Sequence, residues 1–209
     1  MKFIDLSAQQ EIIKDKIEKR IKDVLAHGKY IMGPEVFELE EKLKSYIGVS
    51  HCISCSSGTD ALIIPLMAKG IGPGDAVITT SFSYIATAEA IALLGATPIF
   101  CDIYPQTFNL DPNGLEEAYD KAVLEGLKPK AIISVDLFGL PARYRLIEEF
   151  AKSKNLLLFS ITHWVKPKWS LKSINNKFPW SLFLCSHPDK EIFFPTSFSV
   201  NSEQLWDLY

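Results

Sequence analysis

Near its N-terminus the chain places an apolar residue at every fourth position, Ile13, Ile17, Ile21 and Leu25, with mostly charged residues between them. Residues four apart share one helical face, so this spacing predicts an amphipathic helix that ends at Gly28, glycine being the usual left-handed cap. A second helix is predicted from Pro34, a favoured first-turn residue, with Val36, Leu39, Leu43 and Tyr46 on one face before Gly48. Then the pattern changes. Short apolar runs at 52–55, 76–80, 98–102, 131–135 and 156–159 alternate with helical stretches at 59–68, 85–94, 115–124 and 143–153. Strands without polar alternation are buried on both faces, which predicts an α/β fold: a mostly parallel sheet flanked by helices, binding ligands at the carboxyl ends of its strands. Pro65 falls inside one predicted helix, where its missing amide should kink it.

The 209 residues are 47% hydrophobic, enough to bury the core of one large domain. A net charge of −3, with Lys and Arg interspersed among Asp and Glu, carries no electrostatic footprint for nucleic acid. The first residues lack the apolar core of a signal peptide, and no apolar run reaches the roughly 18 residues of a membrane span, so a cytoplasmic protein is expected. Four cysteines fit a reducing compartment. Cys52 and Cys55 have redox or zinc spacing, but a strand would point them to opposite faces, and no second pair exists, so buried thiols are expected and no metal site.

The composition shifts near residue 160. All 11 glycines lie at or before Gly139, while all 4 tryptophans, Trp164, Trp169, Trp180 and Trp206, lie after Phe159. Two domains of different character are therefore expected: 1–159, with the N-terminal helices and the α/β domain, and 160–209, a divergent tail. The tail reads either as an unusual subdomain or as the product of a changed reading frame or splice, poorly ordered and never selected for this fold.

Candidate chemistry concentrates in Ser56-Ser57-Gly58-Thr59-Asp60, a turn between a predicted strand and helix. The first amides of a helix lack intrahelical partners, the helix dipole makes that end positive, and Gly58 allows close approach of an anion. The same run reads equally as a Ser N-cap without a ligand. Gly70-Ile71-Gly72-Pro73-Gly74 is also glycine-rich, yet it follows a helix and precedes a strand, the reverse of a dinucleotide loop. Ser57 and Cys55 have no histidine placed to make them hydrolytic nucleophiles.

Six segments, taken in order, carry a resemblance: Phe3-Ile4-Asp5-Leu6; His27-Gly28-Lys29-Tyr30-Ile31 with Gly33-Pro34-Glu35-Val36; Gly58-Thr59-Asp60-Ala61-Leu62; Ser83-Tyr84-Ile85-Ala86-Thr87; Gly95-Ala96-Thr97-Pro98; and Asp136-Leu137-Phe138-Gly139-Leu140-Pro141. Over about residues 1–158 the chain resembles the DegT/DnrJ/EryC1/StrS sugar aminotransferases, especially those that aminate a UDP-linked 3-keto-hexuronic acid. The resemblance implies the large domain of a fold-type I enzyme that uses pyridoxal 5'-phosphate and glutamate on a UDP- or dTDP-linked keto-sugar, for surface polysaccharide or glycan biosynthesis. It also implies a homodimer, and the family's small C-terminal domain is expected to be missing. Carried over by position, Ser57, Gly58, Thr59 and Asp60 would hold the cofactor phosphate and Tyr84 would stack on its ring. Gly33, Pro34 and Glu35 would approach the sugar nucleotide, and Asp136 would sit at a strand end near the cofactor.

The likeness breaks after Leu158. Where the family continues with an apolar residue and Glu-Asp-Ala-Ala-Gln, this chain has Phe159-Ser160-Ile161-Thr162-His163-Trp164. Ile161 thus stands at the carboxylate that would face the pyridine nitrogen, and Trp164 at the Gln. Counting on to the family's lysine gives Lys190, which reads either as the Schiff-base residue or as a surface lysine; a second Phe193-Phe194-Pro195 has Ser197 at the lysine position. Impaired transamination is the expectation, with a non-catalytic remnant or phosphate-binding module as the alternative.

Overall fold

The computed structural model describes residues 6–47, 51–162, 182–187 and 190–195, in two compact units, one ending at Leu43 and the other beginning at Lys44. Helix α1 (Leu6–His27) and the greater part of α2 (Pro34–Ile47) form the first. As the spacing predicts, α1 stops at Gly28, which takes φ +65° and donates its amide to the Val24 carbonyl at 3.0 Å. Ile13 and Leu43 are buried, whereas Ile17, Ile21 and Leu25 of the predicted apolar face are exposed. Polar contacts join the two helices: Arg20 pairs with Glu38, which also pairs with Lys42 at 2.8 Å, and His27 Nε2 meets Glu35 Oε1 at 3.0 Å.

The second unit alternates as the apolar runs predict: β1 (His51–Cys52), α3 (Gly58–Ala68), β2 (Asp75–Thr80), α4 (Ala86–Leu93), β3 (Thr97–Cys101), α5 (Leu115–Leu124), β4 (Lys128–Asp136), α6 (Tyr144–Ser153) and β5 (Leu157–Thr162). Two further strands, β6 (Leu182–His187) and β7 (Lys190–Pro195), complete one sheet in the order β1-β7-β6-β5-β4-β2-β3. Pairings among β5, β4, β2 and β3, and between β7 and β1, are parallel; β6 is antiparallel to both neighbours.

Alternation across each strand builds two apolar layers. Val77, Ile133, Val135, Phe159 and Ile161 face α3 and α4, clustering with Ala61, Leu62, Leu66, Ala90 and Ile91. Ala76, Ile78, Ile132 and Leu158 face α5 and α6, clustering with Leu115, Ala118, Ile147 and Ala151.

Three differences from the sequence reading have physical reasons. Helix α3 runs unbroken through the buried Pro65, since proline denies a donor to a single carbonyl one turn back while the apolar faces stay packed. β4 begins three residues early, at Lys128, because the exposed Lys128 and Lys130 mask a strand start that pairs with β2. β5 does not stop at Phe159; its register with β4 continues to Asp136 and Thr162, across the expected boundary. The strands β6 and β7 lie within the segment read as a divergent tail, and His163, Trp164, Trp169, Trp180, Ser197 and Trp206 lie outside the described residues.

Candidate cofactor site

All the parallel strands from β1 to β5 point their carboxyl ends to one edge, and the turns leaving that edge carry Ser57, Gly58, Thr59, Asp60 and Tyr84. β1 ends at Cys52, three residues earlier than its strand-like run, and the chain then turns into α3. Ser57 is the N-cap of α3, extended at φ −153°, and its Oγ accepts the Asp60 amide at 3.1 Å while its carbonyl accepts the Ala61 amide at 3.0 Å. The hydroxyls of Ser56 and Ser57 both donate to Asp60 Oδ2, the latter at 2.9 Å. Those bonds, from Ser56 first and Ser57 second, hold the Asp60 carboxyl below its ordinary range. With Asp60 drawn back to the serines, the exposed Gly58 and Thr59 form the side of the helix start that an anion can reach.

Tyr84 lies in the loop between β2 and α4 on the same edge and is 75% exposed. Its carbonyl accepts the Thr87 amide at 3.1 Å, and Ser83 Oγ meets Thr87 Oγ1 at 3.2 Å, so the turn carrying the ring is braced. Gly33, Pro34 and Glu35 belong to the first unit. A Cβ on Gly33 would lie 2.5 Å from the Lys29 carbonyl oxygen, so only glycine fits that turn. Pro34 opens α2, and Glu35 is engaged by His27, whose hydrogen bond, ahead of a backbone contact, lowers its carboxyl.

Asp136 does not face the cup. Its fully buried carboxylate accepts the Ala142 amide at 2.9 Å and the Tyr144 hydroxyl at 2.6 Å, on the α5–α6 side of the sheet. Tyr144 Oη also meets Ser160 Oγ at 2.5 Å, and burial, then the Asp136 charge, raises the Tyr144 hydroxyl well above its ordinary value. Asp136 is therefore a clamp on the loop entering α6. Strand alternation turns Ile161 the other way, where it is buried with Ala61 and Leu62 of α3's first turns.

Lys190 is placed by register alone. β7 begins there, parallel to β1, and pairs across the hairpin with His187, so its backbone sits beside the amino end of β1 and the Leu158 end of β5. Ser57 follows the opposite, carboxyl end of β1. Lys190 thus stands three residues before Phe193, the partner of Cys52 at that end.

Sequence reasoning singled out the loop after β4 as a family segment but neither the loop after β3 nor the tie between the two. Asn109, almost fully buried, donates Nδ2 to the Leu140 carbonyl at 2.7 Å and accepts the Leu137 amide on Oδ1 at 2.9 Å, tying the two together. Phe108 and Phe138 sit in these loops at φ +60° and +54°. Bulky residues hold such conformations at a cost of about 1–3 kcal/mol each and only where the surroundings impose them.

The sequence profile of the DegT/DnrJ/EryC1/StrS aminotransferase family matches residues 11–160. The chain belongs to that family. It is 53% identical over 151 residues to the UDP-2-acetamido-2-deoxy-3-oxo-D-glucuronate aminotransferase of Pseudomonas aeruginosa, an alignment covering 72% of this chain and 40% of that protein. Among solved structures it is similar to a family aminotransferase from Brucella abortus, at 49% identity and TM-score 0.70, covering 79% of this chain and 44% of the other. It is similar also to ntda from Bacillus subtilis with bound cofactor PMP, at 36% identity and TM-score 0.63, covering 69% and 32%. The fold is the α/β large domain of these enzymes, and the chain spans about 40% of the length of the curated relatives it matches.

The family's enzymes depend on pyridoxal phosphate. The residues present fit that group in part. The capped α3 start suits its phosphate, and Tyr84 offers an open aromatic face. Beneath α3, however, the Ile161 position presents an aliphatic side chain in an apolar cluster and not a carboxylate. Among the described residues no group of His, Cys, Asp and Glu could hold a metal ion, and no helix is long and apolar enough to cross a membrane.

Proposed function

We propose that this chain derives from a transaminase that moves an amino group from glutamate to a UDP- or dTDP-linked keto-sugar for surface glycan synthesis, as a cytoplasmic homodimer. The chain itself binds pyridoxal phosphate by its phosphate and is impaired in transfer. The relatives support the substrate class: one is named for a UDP-linked 3-oxo-glucuronate and another for a dTDP-linked amino sugar. The observation that carries the reading is the contrast between the serine-capped α3 start and the buried Ile161 below it.

Each group then has a defined task. Gly58 and Thr59 offer helix-start amides to the phosphate, Ser57 fixes the turn that aims them, and Tyr84 covers a ring face. When bound, the cofactor supplies an electron sink, which needs a protonated ring nitrogen, and an isoleucine can neither donate nor hold that proton. Ile161 favours the second reading, a phosphate-binding module without catalysis.

Calorimetry of the purified chain with pyridoxal phosphate should give saturable binding that is weakened about tenfold by Ser57→Ala, which loosens the turn that aims the amides, or by Thr59→Pro, which removes one of them. A coupled assay with glutamate and a UDP-linked keto-sugar should show little or no transfer. Absence of saturable binding defeats the cup; transfer at the rate of a full-length relative defeats the claim of impairment.

A further inference from the structure

Tyr84 is exposed, so the aim of its ring depends on the backbone that carries it. On its C-terminal side that backbone is held within its own segment: the Thr87 amide donates to the Tyr84 carbonyl, the Glu89 amide donates to the Ile85 carbonyl at 3.0 Å, and Ser83 Oγ meets Thr87 Oγ1. On the N-terminal side the ties reach outward. The Ser81 amide donates to the carbonyl of Cys101, the last residue of β3, at 3.0 Å. One residue on, the Phe82 ring packs against Phe108 in the loop after β3, their centroids 5.6 Å apart and their planes tilted at 39°.

Phe108 is itself fixed. Its amide donates to the Tyr104 carbonyl at 2.9 Å, and its φ of +60° is a conformation that glycine adopts more easily. A bulky residue kept at such a position points to a use for its side chain. The next residue, Asn109, ties this loop to the one after β4, and Phe138 of that loop meets Phe108 nearly edge-on, at 6.1 Å and 83°. The loops after β2, β3 and β4 are thus joined through one ring, Phe108, which packs on Phe82 to one side and Phe138 to the other.

We infer that Phe108 is a positioning residue for Tyr84: acting through Phe82, it sets the loop that presents the Tyr84 ring to a planar ligand. The path is short, since Phe82 lies two residues before Tyr84 in the same loop. The inference rests on the reading above, in which Tyr84 covers the cofactor ring, and it concerns that half of the ligand alone, because the phosphate is held in a different turn, at the start of α3. Loss of the Phe108 ring removes one aromatic pair and leaves the loop braced only from its α4 side and by Ser81.

Phe108→Gly tests this in the full chain, because glycine keeps the left-handed backbone and deletes only the ring. Phe108 is exposed, so the melting temperature should stay near that of the parent. Without ligand, hydrogen exchange at the Thr87 amide should quicken in Phe108→Gly and return to the parent rate in Phe108→Tyr, which restores a ring. The ligand probe is pyridoxamine phosphate, which has the cofactor's ring and phosphate and no aldehyde to react with surface lysines. Its affinity should fall about fivefold in Phe108→Gly, the scale of one aromatic pair, while inorganic phosphate binds as it does to the parent. The circular-dichroism band induced in the bound ring should weaken per mole bound, whereas Ser57→Ala should lower occupancy and leave that band unchanged per mole. In a Tyr84→Ala background Phe108→Gly should add no further loss of affinity. Unchanged exchange at Thr87, or a full further loss on Tyr84→Ala, overturns the inference and leaves the cup standing. A parent chain that binds no pyridoxamine phosphate defeats the reading of the site, and the inference with it.

Discussion

Asn109 shows how much a single side chain can hold. It satisfies one donor and one acceptor of a loop that has no regular partners, at 3% exposure. Asn109→Ala removes both bonds, and each partly buried group left unpaired costs about 1–3 kcal/mol. A loss of about 2–4 kcal/mol is expected in urea unfolding, while a loss under about 0.5 kcal/mol would mean the loop is held by other means. Asp60 makes the complementary case for charge. Its folded value is lowered from the ordinary 3.8 by Ser56 and then Ser57, so the contribution is present above that value and disappears as pH falls through the lower folded midpoint. NMR titration should find the Asp60 midpoint depressed, and Ser56→Ala should move it upward. The two thiols of the C-x-x-C run are ordinary by contrast: Cys52 is buried, and desolvation raises Cys55. Cys101 is pushed up to about 12 by burial first and by Asp111 next, so it should resist alkylation at pH 8 in the native chain.

Among the elements, α5 matches its predicted span, Leu115–Leu124, because its apolar positions recur with helical spacing and turn residues bracket it. β1 was legible as an apolar run but not as a strand end: the run continues to Cys55, whereas β1 ends at Cys52 and Cys55 keeps only a single bridge before the chain enters α3. The β6–β7 hairpin was not legible, since it follows no glycine or asparagine turn and sits in a segment of foreign composition. Tyr84 and the cup were visible as local words. The contact of the Phe82, Phe108 and Phe138 rings was not, because they come from three loops far apart in sequence and only the sheet brings them together. At the level of β5, Ile161 packs against Val135 and α3, so Ile161→Asp buries a carboxylate among apolar neighbours. The variant without cofactor should lose about 3 kcal/mol or more by thermal or urea unfolding. Unchanged stability would place a polar partner beside that position.

For the whole molecule, the sheet depends on its late strands. β6 covers the edge of β5, and β7 joins β1 to the rest. A chain ending at Thr162 leaves β5 as an open edge and β1 without β7, and open edges pair with other chains. Light scattering should show such a truncation aggregating at concentrations where the full chain stays dispersed. The same connectivity sets an order of events. His51 meets Ile192 about 140 positions later, a far longer closure than the crossovers between β2, β3, β4 and β5. The strand that leads into the phosphate cup is thus expected to pair late and to open early. Hydrogen exchange should find the amides of His51 and Cys52 opening at a lower free energy than those of Ile132 and Ile133. Any ligand gripped at the start of α3 then stabilises not only the cup but the closure of the whole sheet.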